Sequence, residues 1–538
     1  MKKPPVVFIV KKEYYDIGIG YMAAVLKQEG FETEIIDFCT ERSEILKQLK
    51  NIKPLIVGFS VIYQYHIDLF IKLIRFLRKG GITCHFTAGG HYASLKYEEL
   101  FKMVPSLDSV VRFEGEYTMG ELVKKIYSGK EWSNIKSIAY KNGNNAISNP
   151  LRPLERDLDN FPYPLRATLP DYAFGRKYAT ILAGRGCLYN CSFCNLKEFY
   201  LPFRGPVKRI RKPEMVVEEM DYLFREKDCS VFLFQDDDFP VKHKNSSGWI
   251  ERFCEELKSR GLSDKIMWKI NCRPDEVDPE LFTLLKRNGL FLVFIGIEDG
   301  TDSGLKKINK NMTIAKSLAG INTLKELEIG FDFGFLLFQP DTTFRSLNEN
   351  LVFLRDICGD GYSAMPFLKL MPYYETDVER KLLAAGRVKG KPGYRDYDFL
   401  EISMNQYFEF LSECFYDWTR RPDGVYNISK WARNYVAVCL RYFETLPLLS
   451  EISSDLNRTL SDSNLFLLDT MKELTPVFNS GNYDRDNFRD LKSYRDEIKL
   501  KHDLYKRQIT KTISNLSVFV ELLQNTKPHF IDTEFLNK

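Results

Sequence analysis

Two series of short apolar runs, each alternating with stretches of helical spacing, restrict this chain more than any other feature. In the first, PVVFIV reads as a buried strand bounded by proline and charge, YMAAVLKQEG as a helix closed by glycine, and TEIIDF as a second strand. PLIVGFSVI, the helical IDLFIKLIRFLRKG, TCHFT at residues 83–87 and a strand over Ser109–Phe113 continue the alternation. Strands alternating with helices predict a mostly parallel sheet with its ligands at the carboxyl ends of the strands. Glycines punctuate that edge: Gly18 and Gly20, Gly58, Gly89 and Gly90, and Gly115 between Glu114 and Glu116.

The second series follows a proline-rich linker at 151–175, flanked by Pro150 and holding Pro153, Pro162, Pro164 and Pro170. YATILAG, VFLFQDDDF, IMWKINCR, LFLVFIGIEDG and IGFDFGFLLFQPDT are its strands, with helices such as 214–226 and 279–288 between them. This repetition is open-ended enough for a partial barrel. The predicted organisation is an α/β Rossmann-like domain at 1–150, the linker, a partial (β/α)6 TIM-like barrel at 176–350 and a mainly helical region at 351–538. Within that last region, residues 402–448 and 483–526 carry helical apolar spacing, and Met371–Glu375 is a candidate lining of a substrate cleft.

With 538 residues the chain exceeds one average domain, and 44% hydrophobic with 28% charged residues suits a folded core. Lys plus Arg less Asp plus Glu is 77 − 73 = +4, which does not mark a dedicated nucleic-acid binder. The basic stretch KKINKNMTIAK reads as a helix start. No apolar run is long enough to span a bilayer, and MKKPPVVFIV meets KKEYYD instead of a cleavage site. There are 11 cysteines, most of them scattered singly, which is not a secreted disulfide framework. Cys39 and Cys439 are expected as small core residues in a reducing cytoplasm.

The exception is RGCLYNCSFC, where Cys187, Cys191 and Cys194 share one loop at C-x3-C-x2-C spacing. No fourth cysteine or histidine stands at a zinc-finger interval; the nearest downstream histidine is His243. An iron–sulfur cluster with one iron left open suits three thiolates better.

That motif, with Phe193 before the last cysteine and FLFQDDDF, GIEDGTDSGLKKINK and FLLFQPDT following in order, resembles the radical S-adenosylmethionine (SAM) superfamily. The N-terminal part, through GIGYMAAVLKQEGFETEIIDF, GFSV, AGGHYAS and VVRFEGEYT, resembles the cobalamin-binding domain fused to one branch of it. The resemblance covers roughly residues 5–350. It implies a [4Fe–4S] cluster on Cys187, Cys191 and Cys194, with SAM on the open iron. SAM contacts are expected from Phe193, Asp236, Asp237, Asp238, Arg273, Glu298 and Gln339: a carboxylate of the Asp236–Asp238 run for its amino group, Glu298 for its ribose, and Arg273 for its carboxylate or a substrate. Cobalamin contacts are expected from Gly18, Gly20, Ser60, Tyr63, Gln64, His66, Gly89, Gly90, His91, Glu114, Gly115 and Glu116. Methionine-synthase-like domains place a histidine under cobalt with Asp-x-His-x-x-Gly. Here DIGIG, residues 16–20, has Gly18 at that place, so no histidine of this loop is expected beneath the metal.

The activity implied is methyl transfer from SAM, through methylcobalamin, to an unactivated carbon of a biosynthetic intermediate. The alternative is a non-methylating rearrangement, ring contraction or cyclisation. Expected partners are a small-molecule or peptide substrate and an external electron donor such as flavodoxin or ferredoxin, with no membrane span and no nucleic acid.

Overall fold

A computed structural model describes residues 3–11, 17–166, 169–241, 248–443, 447–480 and 489–524. Asp16 of the DIGIG loop, His243 and the ends of the predicted 483–526 helix lie outside the described residues. Two compact units emerge, and neither is continuous in sequence. The first holds residues 1–168, 180–215 and 371–396; the second holds 169–179, 216–370 and 397–538. The cysteine loop, placed by its sequence at the head of the barrel, therefore belongs by its contacts to the first unit.

In the first unit β1 (Val6–Val10), β2 (Thr33–Asp37), β3 (Ile56–Ser60), β4 (His85–Gly89) and β5 (Ser109–Val111) pair in parallel, in the order β2-β1-β3-β4-β5. Every residue of β1 is buried because helices cover both faces. Val7 and Ile9 join one apolar cluster and Val6, Phe8 and Val10 the other. The helix Ile67–Lys79 shows how the sequence builds such a layer, burying Ile67, Phe70, Ile71, Ile74 and Leu77 along one stripe. The sheet then extends by an antiparallel hairpin absent from the sequence reading, β6 (Ile138–Asn142) and β7 (Asn145–Ser148). Its turn holds Gly143 at φ +61°, a conformation glycine enters without strain.

The second unit opens with an antiparallel pair, β8 (Asp171–Ala173) and β9 (Arg176–Ile181). The first unit then resumes with a two-stranded ribbon, β10 (Gly184–Arg185) and β11 (Arg209–Ile210). Back in the second unit, β12 (Cys229–Phe234), β13 (Met267–Cys272), β14 (Leu290–Glu298) and β15 (Gly330–Phe335) pair in parallel. The sheet β15-β14-β13-β12-β9-β8 is a curled half-barrel with the hairpin strand β8 at one edge, and after β15 and its helix an isolated parallel bridge joins Phe338 to Lys369. Threonines at 301, 313 and 343 cap the helices after β14 and β15, each accepting a backbone N–H in the first turn.

The C-terminal region is helical, including the predicted Ile402–Cys414 and Val425–Tyr442. A 33-residue helix, Pro447–Asn479, was not legible among its serines and asparagines. Leu456, Leu460, Leu467, Met471, Leu474 and Phe478 give it a buried stripe. Among the described residues no helix is long and apolar enough to cross a membrane.

Candidate functional site

The cysteine loop leaves the ribbon β10/β11 through Gly186, whose φ of +84° turns the chain and whose missing side chain lets the Val207 carbonyl close in. Cys187, Cys191 and Cys194 form no disulfide and are partly exposed, as is Phe193. The Cys194 N–H donates to the Cys191 carbonyl at 3.2 Å, and the Ser192 carbonyl accepts from Val378 at 3.2 Å. The other cysteines differ in kind. Burial pushes the Cys84 thiol up to about 11 and those of Cys254 and Cys439 to about 12, so they pack as small apolar residues. Cys39 departs from its expected place in the core and is exposed, because the chain has already left β2. Among the described residues no three His, Cys, Asp or Glu side chains converge as one metal ion demands. A cubane makes a different demand, since each thiolate takes a different iron.

Ion pairs fasten the ribbon within the first unit. Arg209 grips Glu114 with both terminal nitrogens, and Arg185 reaches Glu116 at 2.7 Å and Glu114 at 3.8 Å. Burial opposes the charge on Arg185, but the two carboxylates overcome it and hold its pKa above the usual value. Glu114 and Glu116 thus commit their carboxylates to the arginines that flank the cysteine loop. Neither arginine was singled out in the sequence, because such pairs join segments some 70–95 residues apart. After the cysteines, the helix Leu196–Tyr200 is seated by Phe199, which packs on Phe113 at 5.1 Å and His91 at 4.2 Å between centroids.

The remaining strand-end residues of this unit divide by exposure. Ser60, Tyr63, His66, Gly89, Gly90 and His91 are partly exposed at the carboxyl edge. There Val61 donates to the Gly89 carbonyl at 2.8 Å, and a side chain at Gly90 would meet the Val61 carbonyl at 2.8 Å. Gln64 is fully buried; it donates to the Pro372 carbonyl and accepts from Tyr374 N at 3.1 Å. That contact places the Met371–Glu375 segment in the first unit. Gly18 and Gly20 lie inside the helix Ile17–Gln28 instead of a loop, and Gly20 is small because the Leu165 carbonyl stands 2.8 Å from its would-be Cβ. Gly115 is buried against Val111 and Met22.

In the second unit, Asp236 and Asp238 are buried after β12 while Asp237 is exposed; the Asp236 carbonyl accepts from Asn271 at 2.9 Å. Arg273, at the end of β13, forks onto its near neighbour Asp275 at 2.9 and 3.3 Å. Gln339 donates to Asp299 at 2.7 Å. Glu298 is the most constrained of the set. It ends β14 at φ +73°, a left-handed conformation that a glutamate adopts only when its surroundings impose it. Its carboxylate meets the buried Lys310 at 3.3 Å. A Cβ at Gly296 would lie 2.6 Å from that carboxylate and 2.7 Å from the Lys310 ammonium, and one at Gly334 would lie 3.2 Å from it. The two glycines are the space the carboxylate occupies. Gly296→Ala is therefore expected to destabilise the protein by about 1–3 kcal/mol through forced displacement of Glu298. A denaturation midpoint equal to wild type would contradict this reading.

Residues 5–123 match the family profile described as the B12 binding domain, and residues 181–350 that of the Radical SAM superfamily. An anaerobic magnesium-protoporphyrin IX monomethyl ester cyclase of Cereibacter sphaeroides is 26% identical over 463 residues, 79% of this chain and 71% of the cyclase. An uncharacterized methyltransferase of Pyrococcus horikoshii is 27% identical over 348 residues, 63% of this chain and 73% of that protein. Among solved structures, the cobalamin-dependent S-adenosylmethionine radical enzyme OxsB, with aqua-cobalamin and S-adenosylmethionine bound, matches with a TM-score of 0.69. The match covers 97% of this chain and 80% of OxsB at 17% identity, a likeness of fold.

Proposed function

We propose that this chain, a member of the cobalamin-dependent radical SAM family, is a methyltransferase acting on an unactivated carbon of a small molecule or peptide. The observation that carries the reading is the set of three partly exposed thiols on one fastened loop. Soft, accessible thiolates fit an iron–sulfur cluster, and Cys187, Cys191 and Cys194 would hold it. In the second unit the Asp236–Asp238 run, Glu298, Arg273 and Gln339 are assigned to SAM. Ser60, Tyr63, His66, Gly89, Gly90 and His91, the accessible members of the first sheet's edge, are assigned to cobalamin.

When bound, the cluster with SAM supplies hydrogen-atom abstraction, and cobalamin supplies the methyl group. The residues orient these groups and keep water and competing hydrogen donors away. Gly296 and Gly334 leave the Glu298 carboxylate fixed against Lys310, so a hydroxyl-bearing partner would meet a preset acceptor. Electrons would come from a flavodoxin- or ferredoxin-like donor of the cytoplasm. A second reading, radical cyclisation or rearrangement with no methyl transferred, has support in the similarity to the cyclase, which extends over more of this chain than the similarity to the methyltransferase.

Anaerobic reconstitution with iron, sulfide and hydroxocobalamin, followed by SAM and reductant, separates the two. About four irons and one cobalt per chain are expected, with both 5′-deoxyadenosine and S-adenosylhomocysteine formed. Deoxyadenosine without homocysteine, cobalt still bound, would replace methylation by rearrangement. No cobalt uptake would sink the reading of the first unit.

A further inference from the structure

On β13, residues alternate between two environments. Trp268 is fully buried and packs with Phe234 and Phe253 at 6.0 and 5.4 Å, on the face turned away from the lumen of the half-barrel. Lys269 and Asn271 take the opposite, inner face. Strand register carries that face across the sheet: Lys269 lies opposite Leu233 and Leu292, Asn271 opposite Phe294, and Phe294 opposite Asp332. The helix Val425–Tyr442 closes one end. Its Val438 joins Val231 and Met267 in an apolar cluster, and its Lys430 pairs with Asp332 at 3.3 Å.

The layer above that apolar floor is open and cationic. Phe294 is 37% exposed at the middle of a central strand, and the Lys430 and Asp332 side chains keep 28% and 22% of their surface. Protein surrounds these groups while space remains between them, which is what lining a cavity means. Asp332 is already paired with Lys430. Lys269 has only the Asn271 amide oxygen and the Phe294 ring, 5.8 Å away. Among the described residues no carboxylate stands within ion-pair distance of it. Arg433, one turn beyond Lys430, stacks 4.7 Å from Tyr362 and adds a further positive charge near Asp332.

A cation in such surroundings is costly without an anion. Burial pushes the Lys269 ammonium down to about 8, with Asp332 pulling it up and Lys430 adding to the fall. Asn271 links it onward, donating its amide N–H to the Asp236 carbonyl.

We propose that the lumen of the half-barrel binds an anionic group of the substrate, a carboxylate or a phosphate ester, on Lys269 beside Asn271 and Lys430. This rests on the reading of the second unit as the substrate-bearing barrel, and it names the class of substrate.

The test is lysine acetylation of the reconstituted full chain by a water-soluble acetyl ester, read residue by residue by mass spectrometry. Inorganic phosphate and acetate are the probes, with chloride at equal ionic strength as the reference. Lys130, exposed on the first unit, is the control. Either anion is expected to slow modification of Lys269 about three-fold relative to Lys130. Protection by phosphate alone assigns a phosphate ester, and protection by acetate assigns a carboxylate. Equal rates in all three salts would overturn the proposal. So would a Lys269 that is never modified, since a sealed lysine meets no substrate. The readout needs no turnover: Lys269 protected while no S-adenosylhomocysteine forms would keep the anion site and remove only methyl transfer.

Discussion

Cys191→Ala is expected to give a folded chain that retains little iron after reconstitution and forms 5′-deoxyadenosine at least about 10³-fold more slowly. The cluster needs three thiolates to leave one iron open for SAM; with two it is lost or reaches for a foreign ligand. The fold should scarcely change. Cys191 is partly exposed, and its loop is fastened by Arg185 and Arg209 instead of by packing of the thiol. A surface change of that kind moves stability by about 0.5 kcal/mol or less. Cys439→Ala supplies the opposite signature. That side chain is fully buried on the helix Val425–Tyr442, so stability should fall by about 1 kcal/mol while iron stays at wild-type content. Iron measured by colorimetry and deoxyadenosine by chromatography read both variants. Full iron and normal cleavage in Cys191→Ala would mean that the ligands are a different set.

The sequence carried the parts of this molecule that depend on local pattern. All five parallel strands of the first sheet and the four parallel strands of the half-barrel were legible, because buried parallel strands read as continuous apolar runs. The hairpin β6/β7 escaped because IAYKN and NAIS are both half-polar and NAIS forms the edge of the sheet, although the Asn142–Gly143 pair at their turn was a visible signal. The helix over 447–479 escaped because its apolar residues, about two in five, are interleaved with serines, asparagines and charged residues that dominate a linear reading. The pairings of site residues escaped for a deeper reason. Glu114 and Glu116 stood out as a strand-end pair suited to a ligand, yet their partners Arg209 and Arg185 come from another part of the chain. Likewise GIE marked Glu298 but not Lys310, which meets it from 12 residues on, nor the reason for Gly296 and Gly334. Spacing shows which chemistry is present; tertiary pairing decides how it is used.

That pairing gives the largest stability effect expected here, from Glu114→Ala. The Arg209 side chain is 2% exposed and that of Glu114 12%, so water cannot replace the lost partner. Breaking a buried ion pair on one side leaves an uncompensated charge, which costs about 3–5 kcal/mol. Arg209 would keep only the Glu155 carbonyl at 2.8 Å and that of Val207 at 3.3 Å, whereas Arg185 would keep Glu116. Because Arg209 lies on β11, opposite Arg185 on β10, the strand that leads into the cysteines would loosen with it. Iron should then leave the reconstituted variant faster than wild type, although no thiol has been touched. The double variant Glu114→Leu with Arg209→Met removes both charges and should recover most of the lost stability, since it is the lone charge that costs most. Denaturant midpoints for the three proteins and the rate of iron transfer to a chelator are the measurements. If Glu114→Ala melts within about 0.5 kcal/mol of wild type, the pair behaves as an exposed one, and the fastening of the cysteine loop must come from the aromatic seat of Phe199 instead.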